Sequence, residues 1–142
     1  RYSPGMASVF TMIIDGELPA RFVWKDEHCV AFLSINPLAP GHTLVVPRQE
    51  VDHWIDLDPE LVDHLMGVSQ KIGKALDLGF KPNKVALMIA GLEVPHAHLH
   101  LIPIEGMHDL DADNADLAPN PDELDAAADR VRAALRALEF GG

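Results

Sequence analysis

From residue 91 to residue 103 the chain reads Gly-Leu-Glu-Val-Pro-His-Ala-His-Leu-His-Leu-Ile-Pro, with His96, His98 and His100 separated by Ala97 and Leu99 and followed by Leu101. A period of two fits an extended strand, in which successive side chains point to opposite faces. A strand over residues 95–104 therefore sends its apolar residues into a core and gathers three imidazoles on the other face. Thr, Lys or Glu would fill an open strand face more readily than repeated imidazole, so that face is where chemistry is expected. Imidazole is largely neutral near pH 7, nucleophilic and a common metal ligand. Geometry limits the metal reading: positions i and i+4 lie roughly 13 Å apart along a strand, while a Zn–N bond is about 2.1 Å. Two adjacent members at most can share one ion, and the third needs another role.

A chain of 142 residues is one domain's worth. Arg1 to Gly5, ahead of Met6, reads as an appended segment, and residues 6–142 as a single domain. Eleven Lys and Arg against 22 Asp and Glu give a net charge of −11, which excludes nucleic-acid backbones and anionic membranes as partners. Residues 85–103 contain no Lys or Arg. A phosphate held there must rely on protonated histidine, hydroxyls and backbone N–H groups. The single cysteine, Cys29, rules out an internal disulfide, and its neighbours Val30, Ala31 and Phe32 predict a buried, inert thiol in a reducing compartment. No apolar run approaches the ~20 residues of a membrane span, so a cytoplasmic location is expected.

Ser8 precedes a short apolar segment that reads as a capped helix ending at Asp15-Gly16. Residues 22–24 and 29–33 read as a hairpin around the turn Lys25-Asp26-Glu27-His28, and residues 43–47 as a third strand after a Pro- and Gly-rich loop. Asp58-Pro59 opens a helix whose stripe is Leu61, Leu65, Val68, Ile72 and Leu76, ending near Gly79. Residues 84–89 form a fourth strand and 95–104 a fifth. Residues 105–120 are acidic and without periodicity, which predicts a surface loop. A last helix opens at Asn120-Pro121, with the stripe Leu124, Ala128, Val131, Leu135 and Leu138 serving core or dimer packing.

With these residues placed, the sequence resembles the histidine triad (HIT) superfamily, in its Hint-like nucleotide-binding and hydrolase branch. The family pattern His-φ-His-φ-His-φ-φ, with φ apolar, matches residues 96–102. Residues 9–20 resemble the family's opening helix and its exit, and residues 31–47 its second signature, which includes His42. The resemblance implies an α+β fold, an antiparallel sheet of about five strands with two main helices, usually in a homodimer. It also implies hydrolysis or transfer at the α-phosphate of a nucleoside phosphoramidate, dinucleoside polyphosphate or related conjugate. The ligand would be a purine nucleotide or nucleotide conjugate, with no cofactor.

By the same resemblance His98 is the nucleophile that forms a covalent nucleotidyl-imidazole, and water then cleaves it. His96, His100 and His42 orient and stabilise charge, His100 also being a candidate to protonate the departing group. Val9, Phe10, Ile13, Phe32 and Ile35 fall at the base pocket, and Ser34 and Asn36 at the ribose and phosphate contacts. Each apolar member also reads as ordinary core packing. The chain departs from its relatives in several places. Ser34 stands where many carry an acidic residue, while Leu92 and Glu93 replace a Gln and a Ser or Thr. Glu93 at the pocket rim would favour an amine-bearing leaving group. Ser8, Thr11 and Glu50 replace the Cys-x-x-Cys and a histidine of zinc-containing relatives, so no bound metal is expected. Leu92 and Glu93 also keep open a second reading, a catalytically weak nucleotide-binding regulator. A histidine-ligated metalloenzyme is the third.

Overall fold

The structure is a computed structural model that describes residues 7–141. The expectation for residues 1–5 lies outside them. Five strands, β1 (Phe22–Lys25), β2 (Cys29–Leu33), β3 (Thr43–Pro47), β4 (Lys84–Met88) and β5 (Leu99–Ile104), form one sheet in the order β1-β2-β3-β5-β4. Every neighbouring pair is antiparallel. Three α-helices accompany it: α1 (Val9–Ile14), α2 (Pro59–Phe80) and α3 (Pro121–Ala137). This is the α+β architecture expected from the sequence, and among the described residues no helix is long and apolar enough to cross a membrane.

Strand alternation divides the core in two. Cys29, Ala31 and Leu33 of β2, Val45 of β3 and Leu99 and Leu101 of β5 pack with Leu65, Val68, Ile72 and Leu76 of α2 and Ala128, Val131 and Leu135 of α3. The opposite positions, Val30, Phe32, Leu44 and Val46, meet Phe10 of the short helix α1. Two long helices thus close one face of the sheet, while one short helix leaves part of the other available for a site. α1 begins as expected, with the Ser8 hydroxyl accepting from the Thr11 N–H.

Gly41 takes φ +92°, and a Cβ there would meet the Phe80 ring at 2.9 Å. The turn that delivers His42 into β3 therefore has both a backbone and a packing reason for glycine.

One expectation needs correction. The fifth strand begins at Leu99, not at residue 95. Residues 95–98 instead cross the end of β3, with His96 donating its N–H to the Val94 carbonyl and Ala97 to that of Val51. Residues 105–120 form the expected surface loop, which contains 3-10 turns at Met107–Leu110 and Ala112–Asn114. The Asp116 N–H donates to the Pro37 carbonyl, and the Asn36 side chain donates to the Asp116 carbonyl. Pairing with a distant loop supplies the order that local periodicity lacks.

Candidate active site

His98 and His100 lie on the α1 face with ring centroids 4.8 Å apart, and His42 from β3's approach lies 5.1 Å from His100. Hydrogen-bond chemistry fixes the proton on each ring. A backbone carbonyl can only accept, so His98 Nδ1, 2.7 Å from the His96 carbonyl, carries the hydrogen and leaves Nε2 as a lone pair. The Leu38 N–H donates to His42 Nδ1 over 3.0 Å, so the His42 proton is on Nε2. That proton is donated to His100 Nδ1 over 2.9 Å, which places the His100 hydrogen on Nε2. The unprotonated nitrogens of His42 and His100 already accept hydrogen bonds, which leaves His98 Nε2 as the lone pair open to a ligand, beside the N–H of His100 Nε2.

His96 has a different place. Its ring is fully buried, at 0% exposure, with Nε2 donating to the Pro47 carbonyl at 2.7 Å and Nδ1 accepting from the Ser8 hydroxyl at 2.7 Å. Both nitrogens are engaged, so this side chain has no free atom for a phosphate. It positions His98 through its backbone carbonyl. The ring does share the α1 face with His98, both lying against Phe10; sequence reasoning missed only that it is sealed, because the groups that seal it, Ser8 and Pro47, are 88 and 49 positions away.

The residues standing at the zinc-ligand positions of relatives meet around that same ring. Ser8 N–H and the Thr11 hydroxyl both donate to Glu50 Oε1, at 2.7 and 2.5 Å, and Glu50 Oε1 lies 4.0 Å from His96 Nδ1. Neutral hydroxyls are poor substitutes for thiolates, and His96 has no lone pair to spare. The residues present do not fit the metal; a hydrogen-bonded cluster joins α1, the segment after β3 and His96 in its place.

Burial keeps the imidazoles neutral. Desolvation pushes His42 down to about 3 and His100 to about 4, and nearby histidines add to both shifts. Desolvation also lowers His96 and His98, opposed at His98 by its bond to the His96 carbonyl and by the charge of Glu93. Of the three kinds of phosphate donor expected from the sequence, burial disfavours protonated histidine, while neutral His100 still offers its Nε2–H. A second correction concerns the open strand face expected to carry His98, whose residue is only 5% exposed. Phe10 lies over it edge-on at 4.9 Å.

The expected nucleotide contacts divide. Phe10 and Phe32 are buried and pack edge-to-face at 5.6 Å, with Phe10 also against His98. Ile13 is half-buried against the same cluster, while Val9 and Ile35 present apolar surface, Ile35 being 66% exposed. The Ser34 hydroxyl accepts from the Asn36 N–H, and the Asn36 amide is held by Asp116. Glu93 is exposed, and with Asp52, Trp54, Leu92 and Pro95 it lines a cleft of about 460 Å³. Sequence reasoning did not find this cleft, although an exposed Trp54 beside Ile55 is a signal that could have pointed to it.

The HIT domain family model matches residues 15–107. An uncharacterized HIT-like protein of Methanocaldococcus jannaschii is 41% identical over 99 residues, covering 67% of this chain and 77% of its own. Among solved structures, a zinc-bound histidine triad family protein from Mycobacterium smegmatis superposes with TM-score 0.81 at 30% identity, covering 95% of this chain and 97% of that one. A hypothetical histidine triad nucleotide-binding protein from Sulfolobus tokodaii gives 0.81 at 25% identity over 92% and 93% of the two chains. A HIT family hydrolase from Legionella pneumophila gives 0.60 at 31% identity over 68% and 91%. The chain belongs to the HIT family.

Proposed function

We propose that the protein is a nucleotide hydrolase or nucleotidyltransferase that attacks the α-phosphate of a nucleoside phosphoramidate or a related conjugate. The observation that carries this reading is the tautomer pattern: His98 Nε2 is a lone pair while His100 Nε2 bears a hydrogen. In the first step His98 Nε2 bonds to phosphorus as the bond from phosphorus to the leaving group breaks. In the second, water displaces the imidazole, releasing the nucleoside monophosphate and restoring His98. Splitting one displacement into two gives each a good leaving group. Neutral His100, lowered to about 4, acts by donating its N–H to a phosphoryl oxygen rather than by releasing a proton. The leaving amine takes its proton from solvent.

Val9, Ile13 and Ile35 supply the apolar contacts for the base, with Ser34 near the sugar. Glu93, whose charge acts on His98, favours an amine leaving group, because its carboxylate attracts a cation and repels a second phosphate. The relatives described as nucleotide-binding and as a hydrolase support this reading at the level of ligand class and reaction type.

A homodimer accompanies the proposal. Among the described residues β4 is an edge strand paired only with β5, and Met66, Leu78 and Leu87 expose apolar side chains around a groove it shares with α2. Pairing with a second copy would cover that groove and protect the edge.

The test is to mix the protein with a fluorescent nucleoside phosphoramidate, quench in denaturant, and look for acid-labile label on the chain. Wild type is expected to carry label and His98→Ala none, with mononucleotide binding retained in both. Binding without label in wild type would replace the enzyme by a nucleotide-binding regulator.

A further inference from the structure

On the other face of the sheet, away from His42, His98 and His100, the β1–β2 turn meets the first turns of α2. Asp26, Cys29 and His64 each offer one ligand atom there, all within 4.8 Å of one another. Among the described residues this is the set of three such groups close enough to share an ion. We infer that Asp26, Cys29 and His64 form a binding site for a divalent transition ion of the zinc or cobalt class, clamping the hairpin to α2.

Geometry and ligand chemistry support it. Tetrahedral coordination with Zn–S near 2.3 Å and Zn–O near 2.0 Å sets sulfur and oxygen about 3.5 Å apart. Cys29 Sγ lies 3.5 Å from Asp26 Oδ2. His64 Nε2 lies 2.8 Å from the same oxygen, so this pair would open to the roughly 3.3 Å that an oxygen and a nitrogen take around zinc. His64 is half-buried at the protein surface and can make that movement by rotating its side chain.

The carboxylate is already held in place by groups that need not move. Asp26 Oδ1 accepts from the His28 and Cys29 N–H groups, and Oδ2 from the Trp24 indole. Such outer bonds orient a ligand before the ion arrives. The ion would replace two hydrogens now directed at Asp26. The Cys29 S–H gives up its proton to water as the sulfur–metal bond forms, and the His64 proton shifts from Nε2 to Nδ1. Solvent fills the fourth position on the exposed side, where the His28 ring lies 4.9 Å from His64. A mixed sulfur, nitrogen and oxygen set suits zinc or cobalt rather than calcium or magnesium, which take oxygen ligands. The site differs from the one expected to be lost at Ser8, Thr11 and Glu50, and it modifies the sequence-based expectation of no metal.

The experiment titrates cobalt(II) into the untagged, EDTA-treated chain and follows the near-ultraviolet thiolate-to-cobalt charge-transfer band. One equivalent should saturate the band, and zinc should displace it. His64→Gln should weaken cobalt binding at least tenfold, and Cys29→Ser should remove the band. His98→Ala should leave it in place, separating this site from the triad. No band at saturating cobalt, or equal affinity in wild type and His64→Gln, would overturn the assignment. His64 lies partly exposed on a helix, so that variant remains a usable test if Cys29→Ser fails to fold.

Discussion

Acidification should destabilise this protein through its buried imidazoles, and His42 allows the size to be worked out. Its folded-state value of about 3 lies far below the unfolded value of 6.5. The unfolded chain therefore takes its proton first as pH falls, and stability present above about pH 6.5 is lost on the way toward pH 3. Between pH 6 and pH 5 the unfolded residue carries on average about 0.9 more protons than the folded one. At about 1.4 kcal/mol per proton per pH unit, that is about 1.2 kcal/mol over this single unit. His100, lowered to about 4, acts in the same direction with a smaller share because it is less buried. Against a typical total of about 5–15 kcal/mol, the loss is easily measured. Urea denaturation at half-unit steps from pH 7 to 5 in wild type and His42→Gln provides the assay. The amide cannot titrate, so the variant should lose about 1 kcal/mol of the difference between pH 6 and 5, whatever its stability at pH 7. An identical pH slope in the two proteins would refute the reasoning.

Ser8→Ala removes the α1 cap and leaves His96 Nδ1 buried without its 2.7 Å partner. A cost of about 2–4 kcal/mol is expected in chemical denaturation, and a loss below about 0.5 kcal/mol would count against the Ser8–His96 link. Glu93→Ser should lower the ratio of turnover on an adenylated amine to that on an adenylated phosphate severalfold; an unchanged ratio removes Glu93 from leaving-group selection. Leu87→Arg should convert a dimer to monomer in sedimentation, and a wild-type chain that already sediments as a monomer would discard the proposed assembly.

Much of the fold was legible because local pattern and burial agree. The alternation of His98, Leu99, His100 and Leu101 reads as a strand edge-on to a core, and the stripe Leu65, Val68, Ile72 and Leu76 reads as a buried helix face. The start of β5 was not legible, since Pro95 to His98 continue the same alternation without strand pairing. Their backbone goes instead to Val94 and Val51, partners that periodicity does not encode. The order within residues 105–120 was hidden for the same reason, as it depends on the bonds from Asn36 and Pro37.

The chain's own residue order determined which segments extend or coil, which side chains are apolar, and that histidine dominates one short stretch. Periodicity suffices for those features because they arise between residues only a few positions apart. Only the tertiary structure decided that His42 protonates toward His100, that His96 is sealed between Ser8 and Pro47, and that Asp26 meets both Cys29 and His64. These contacts join residues up to 88 positions apart. Strand order and helix packing, which bring such distant groups together and strip water from them, set both their proton positions and their acidity.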